Sequence, residues 1–203
     1  MAARHAKTTP ARPELTLPDR EAEALSAAYA GAASILEYGS GGSTVLAAEM
    51  PGKRVVAVES DPDWAAAMRA WFNANPPADG SAVEVMWADI GPTKKWGRPA
   101  DDTGWRRYAH YPLTVWDRAE LAPDVVLVDG RFRVGCALAA LFRAPGPFTL
   151  LFDDYAPRQR YHVVEEYLGP PHRMAGRMAL WEVTPQPVPA ERLTQIVTLM
   201  TRP

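Results

Sequence analysis

The sequence predicts an α/β fold: a doubly wound, mostly parallel sheet closed by an antiparallel hairpin near the C-terminus. Three observations predict it. Five apolar runs, within Ile35–Tyr38, Arg54–Glu59, Val83–Asp89, Asp124–Gly130 and Phe148–Asp154, alternate with segments of helical periodicity. Every run carries a carboxylate at or near its exit. A last pair of runs, 172–175 and 178–183, flanks Gly176-Arg177 as a hairpin would.

The first run leads into Gly39-Ser40-Gly41-Gly42-Ser43-Thr44, after which helix-forming residues resume. This is a strand, a tight turn and a helix, and its glycines leave backbone N–H groups free to face an electron-rich ligand. Upstream, Pro18–Ala30 reads as a helix with an acidic start and Leu25, Ala28 and Tyr29 on one face. After the second strand, Asp61-Pro62 opens a helix as a capping acid before a first-turn proline. Its stripe of Trp64, Ala67, Met68, Trp71 and Phe72 reads as core. Val83–Asp89 alternates as a third strand. Residues 90–123 are irregular, aromatic and cationic, and are expected to form a substrate lid over the carboxyl ends of the strands or, more plainly, a solvated loop with a few aromatics anchored to the body. Asp124–Gly130 reads as a strand buried on both faces, followed by a helix over Arg133–Arg143. Phe148–Asp154 is the fifth strand and 157–168 a helix stopped by Gly169-Pro170-Pro171. Ala190–Met200 fits a short helix or a strand.

With 203 residues the chain suits one domain, expected over 14–203 behind a disordered tail at 1–13. Lys and Arg total 22 against 24 Asp and Glu, so no basic excess points to nucleic acid. The single cysteine, Cys136, lies among apolar helix positions and reads as a buried thiol. No apolar leader and no run near ~18 apolar residues occurs, so neither secretion nor a membrane span is expected and a cytoplasmic setting is.

The order Glu37-x-Gly39-x-Gly41-Gly42-Ser43-Thr44, followed about twenty residues on by Val56-x-Val58-Glu59, resembles the first two motifs of class I S-adenosylmethionine-dependent methyltransferases. The resemblance implies a Rossmann-like, seven-stranded sheet whose final strand is antiparallel. It also implies a cofactor, S-adenosyl-L-methionine, with its amino-acid part over the glycine turn and its ribose on the acid of the second strand. The candidate cofactor residues are then Glu37, Gly39, Ser40, Gly41, Glu59 and Ser60, with Asp89 toward the adenine. The acidic turn suits a ligand that carries an ammonium and no phosphate. A nicotinamide-linked Rossmann oxidoreductase is the alternative enzyme; Thr44 at the third glycine position and Glu37 before the turn speak against it.

Asp129 at the fourth strand's exit and Asp153 with Asp154 at the fifth's resemble the magnesium ligands of cation-dependent, catechol-type O-methyltransferases, and form a candidate metal set. The pattern departs from that subfamily, with Phe132 where its lysine base stands and Asp154 in place of an amide. Without a metal, Asp129 or His110 is the candidate base, and Arg131 or Arg133 the anchor for an anionic substrate, with Trp105 and Tyr108 supplied by the lid. The expected function is methyl transfer to a small molecule, an oxygen acceptor being favoured over nitrogen. A non-catalytic binding protein on the same fold is the further alternative.

Overall fold

A computed structural model describes residues 11–203. The first helix, α1 (Asp19–Gly31), precedes β1 (Ser34–Tyr38), α2 (Gly42–Ala48), β2 (Arg54–Glu59), α3 (Pro62–Ala74) and β3 (Ala82–Trp87). A two-residue hairpin, β4 (Thr93–Lys94) and β5 (Arg98–Pro99), and the short α4 (His110–Leu113) lead to β6 (Val125–Val128) and α5 (Arg133–Arg143). The chain ends with β7 (Phe148–Phe152), α6 (Glu165–Leu168), β8 (Arg173–Ala175), β9 (Met178–Val183) and α7 (Leu193–Met200). None of these helices is long and apolar enough to cross a membrane.

Seven strands form one sheet in the order β3-β2-β1-β6-β7-β9-β8. The five from β3 to β7 are parallel, and β9 enters antiparallel between β7 and β8, as the expected hairpin requires. Strand order reverses between β1 and β6. In open α/β sheets that reversal leaves a crevice beyond the carboxyl ends of the two strands, so topology alone puts a ligand site next to Gly39 and Asp129.

Helices cover both faces. All four residues of β6 are buried, as its continuous apolar run demands. Nine of the eleven residues of α5 are buried, because α7 packs on its outer side: a Cβ on Gly135 would lie 2.9 Å from Met200 Cα. Cys136 is fully buried, and burial pushes its thiol well above its usual pKa, in keeping with the expected inert thiol. In α3, Asp61 accepts from the amides of Asp63 and Trp64 as the cap predicts. The buried stripe is Ala65, Met68, Trp71 and Phe72, whereas Trp64 and Ala67 are exposed, a correction to the expected core.

Residues 90–123 are tied to the body: Ile90, Tyr108, Tyr111, Val115, Trp116 and Leu121 enter the main core, while most of the hairpin and of 101–106 is exposed. One further segment differs from expectation. The helix expected over 157–168 is a 3-10 turn at Gln159–Val164 followed by the single turn of α6. Residues 1–10 of the expected tail lie outside the described residues. From Ala11 the chain is held: Arg12 pairs with Glu49, and the Glu14–Leu15 backbone rests on Gly42, where a Cβ would overlap it.

Candidate functional site

The turn after β1 is held from beneath. Glu37 is fully buried; its Oε1 accepts from the Tyr29 hydroxyl of α1 at 2.5 Å, and its Oε2 from the Thr44 hydroxyl. Thr44 Oγ1 in turn accepts from the Gly41 amide at 3.0 Å. A chain of hydrogen bonds therefore ties α1, β1 and the turn together, which explains a threonine where a dinucleotide fingerprint would carry glycine. Burial raises the Glu37 pKa to about 7, against the lowering effect of Thr44 and Tyr29. Glu37 acts on the turn from within the protein and does not itself face the crevice, a correction to its expected direct role.

Three glycines in this region have different causes. Gly39 has φ +103° and presses on the β6 exit, its missing Cβ 3.1 Å from the Gly130 nitrogen. A Cβ on Gly130 would overlap the Tyr111 hydroxyl and come within 2.8 Å of the Gly39 nitrogen, so β1 and β6 leave the sheet back to back. Gly41 is unlike both. Its backbone is extended, which any residue accepts, and a Cβ there would meet nothing within 4 Å. No protein atom requires a glycine at 41.

One strand away, Glu59 is 8% exposed. Its Oε1 accepts from the amides of Ser60 at 2.7 Å and Asp61 at 3.0 Å, and its Oε2 from Ser40 Oγ at 3.0 Å. Burial raises its pKa, while these donors oppose the rise. A carboxylate offers about four acceptor positions, so Oε2 keeps room for a further hydroxyl. Two exposed indoles flank this pair: Trp64 Nε1 donates to the Ser40 carbonyl at 2.8 Å and Trp87 Nε1 to the Ser60 carbonyl at 3.2 Å. The β4–β5 hairpin leans over the same spot, with Ser60 Oγ bonded to the Gly97 carbonyl at 2.9 Å. Ser40, Glu59 and Ser60 thus come together beside open space at Gly41. Asp89, beyond β3, accepts from the Gly91 amide and is ion-paired with Arg107.

The carboxylates beyond β6 and β7 are gathered too, but around arginine. Arg133, 5% exposed, lies with Nη2 3.0 Å from Asp129 Oδ1 and 3.3 Å from Asp154 Oδ2, and donates from Nη1 to the Asp153 carbonyl at 2.6 Å. Arg177 spans Asp153 with two bonds of 3.0 and 2.9 Å, and Arg158 holds Asp154 at 2.8 Å. Among the described residues no group of three or more His, Cys, Asp or Glu is placed to hold a metal. Three guanidinium groups neutralise three carboxylates, so the residues do not fit a divalent cation, and the expected metal set is corrected on that ground. Phe132 (φ +50°) and Asp154 (φ +59°) both carry left-handed backbone here, strain of the kind that concentrates at functional sites.

Asp129 is the most open of the three acids, with about a third of its side chain exposed. Burial of its carboxyl and the neighbouring Asp153 and Asp154 push its pKa up, and Arg133 pulls it down. His110 is exposed on α4, and Trp105 is exposed beneath the Arg106 guanidinium. Tyr108 is buried against Phe132 with its hydroxyl on the Asp101 carbonyl, so it serves the core rather than a substrate. Arg133, saturated by backbone and carboxylates, is a structural cation rather than a substrate anchor. Arg131 remains on the rim, half-buried. Sequence reasoning missed Trp64 and Trp87, whose apolar neighbours disguised them, and Arg177, which only the hairpin register brings to Asp153.

No family model matches the sequence, and no curated protein does. A solved structure of a methyltransferase-like protein from Silicibacter pomeroyi is 59% identical over 95% of this chain and 99% of that one, with a TM-score of 0.91. The O-methyltransferase TomG from Streptomyces achromogenes, involved in tomaymycin synthesis and solved with S-adenosylmethionine, is 20% identical over 84% of this chain and 81% of that one, with a TM-score of 0.52. The second likeness is one of fold.

Proposed function

The chain belongs to the class I S-adenosylmethionine-dependent methyltransferase family, and from that premise we propose that it moves a methyl group from S-adenosylmethionine to a small-molecule acceptor, an oxygen nucleophile being favoured. The observation that carries the reading is the pairing of an unexplained glycine with a prepared acid. Gly41 faces open space with no structural need to be glycine, and Glu59, one strand away, has donors on every side but one.

The residues fit the group. Gly39, Ser40 and Gly41 would lie under the amino-acid portion, Glu59 would accept from a ribose hydroxyl, and Trp64 beside Ser40 and Trp87 beside Ser60 offer exposed indole surface for the base. Bound there, S-adenosylmethionine supplies an electrophilic methyl on a sulfonium. The protein contributes position: the rigid exits of β1 and β2 hold the donor while the rim beyond β6 receives the acceptor, and such placement accounts for most of the rate of a displacement.

Asp129 takes the acceptor's proton. It sits at the switch point, is open to solvent on one side, and has its pKa raised from the ordinary carboxylate range, which improves a carboxylate as a base near neutrality. His110, on the exposed side of α4, has no comparable placement. No step needs a cation, because Arg133, Arg158 and Arg177 already balance the charge of the three acids. Purified protein, S-adenosylmethionine and a panel of phenols, hydroxy acids and amines test the proposal by mass spectrometry. Methylated product that survives EDTA, and that falls about 10²-fold or more with Asp129→Asn, is the expected result. Tight binding of the product cofactor with no turnover across the panel would instead favour the non-catalytic reading.

A further inference from the structure

A second cleft, of about 430 Å³, opens between the β4–β5 hairpin, the exit of β6 and the 3-10 turn before α6. Lys94, Arg98, Arg131 and Arg160 line it, with Asp101, Asp102 and Pro203. Among the described residues none of the four cations makes an ion pair. Asp101 is turned away to its own Thr103, whose amide and hydroxyl it accepts at 2.9 and 2.5 Å.

Two further observations mark this as a built site. Arg131 Nε is the one buried side-chain nitrogen or oxygen without a hydrogen-bond partner among the described residues. An unpaired donor on a cation is costly to bury and is retained where something else pairs it. Burial first, and then the neighbouring Arg133 and Arg98, push the Arg131 guanidinium below its usual pKa. The second observation is the register of the hairpin. Lys94 stands directly opposite Arg98, and like charges in that cross-strand position repel. Trp96, between the two strands, carries left-handed backbone at φ +67°, so the hairpin holds strain as well as charge.

We propose that this cleft binds the carboxylate or phosphate group of an anionic methyl acceptor, with Arg131 as the principal anchor and Lys94, Arg98 and Arg160 completing the cage. A guanidinium presents parallel N–H groups that match either oxyanion, and no carboxylate among the described residues pairs with that of Arg131. Location links the cleft to the reaction. Arg131 is two residues from Asp129, and Arg98 follows Gly97, whose carbonyl holds Ser60 beside Glu59. An acceptor anchored here is held by the β6 exit that carries the base and by the hairpin that contacts Ser60. Calling the ligand an acceptor rests on the methyl-transfer reading; the anion site itself does not.

Calorimetric titration with inorganic phosphate and, separately, with benzoate tests the site on the wild-type protein, on Arg131→Gln and on the double variant Lys94→Gln, Arg98→Gln. Lys94 and Arg98 are exposed, so the double variant keeps the fold even if Arg131→Gln does not. At least one probe binds the wild type, the affinity weakens with added KCl, and each variant loses about tenfold or more. The arm that binds separates phosphate from carboxylate chemistry. S-adenosylhomocysteine binds all three proteins equally. Anion binding that is absent in the wild type, or unchanged in both variants, overturns the proposal. Failure of S-adenosylhomocysteine to bind any of them, with anion binding intact, refutes the cofactor reading instead.

Discussion

Glu37 makes the stability of this protein depend on pH in a direction opposite to that of most acids. Its carboxyl is fully buried between Tyr29 and Thr44, with a pKa raised from 4.5 to about 7. In the unfolded chain it ionises near its ordinary value. Between roughly pH 4.5 and 7 the folded form therefore binds a proton that the unfolded form has lost, and stability falls as pH rises through that window. The stabilising effect of the proton is fully present below the unfolded pKa and gone above the folded one. A rise of about 2.5 units at about 1.4 kcal/mol per unit gives a loss on the order of 3 kcal/mol between pH 4.5 and 8. Glu37→Gln keeps the shape of the neutral acid and cannot ionise. Urea unfolding of both proteins at pH 5 and pH 8, without ligand, measures the effect. The two are expected to lie within about 1 kcal/mol of each other at pH 5, with the variant more stable by about 2–3 kcal/mol at pH 8. If the two proteins respond to pH in parallel, Glu37 is ionised in the fold and the account of the turn is wrong.

Removing the central guanidinium with Arg133→Met leaves Asp129, Asp153 and Asp154 partly uncompensated, and should cost about 3–5 kcal/mol by urea unfolding, less at pH 5 than at pH 8, because the Asp129 pKa is raised to about 7 and its carboxyl is protonated at the lower pH. Gly130→Ala drives a methyl group into the Tyr111 hydroxyl and toward the Gly39 nitrogen, for a loss of about 1–3 kcal/mol. Adding Tyr111→Phe should return part of that loss, because the hydroxyl is the nearest obstacle; additive losses in the double variant would contradict the contact.

The framework was legible because it rests on local patterns. Central strands buried on both faces read as continuous apolar runs. The Asp61-Pro62 cap and the apolar run from Val134 to Leu141 fixed the starts of α3 and α5, and the two carboxylates at Glu37 and Glu59 fell at strand exits where topology needed them. What stayed hidden depends on partners distant in sequence. Glu37 looked like a ligand residue, and only the approach of Tyr29 from α1 shows that it faces inward. Asp153 and Asp154 resembled metal ligands, and only the turn between β8 and β9 delivers Arg177 to them. Trp64 fitted the helical stripe of α3, yet its indole leaves the core to reach the Ser40 carbonyl. In 90–123 the buried aromatics lack a regular period, because their packing is set by the ends of β1, β2 and β6 rather than by a helix of their own.

A calorimetric titration of S-adenosylhomocysteine into the wild type and Glu59→Gln, alongside NAD, addresses the central claim, that Glu59 and the bend at Gly41 hold a sulfonium nucleoside. Saturable one-to-one binding by the wild type, weakened about tenfold or more when the charged acceptor becomes an amide, and no heat with NAD, is the predicted outcome. Equal affinity in both proteins, or binding of NAD in preference, would contradict it.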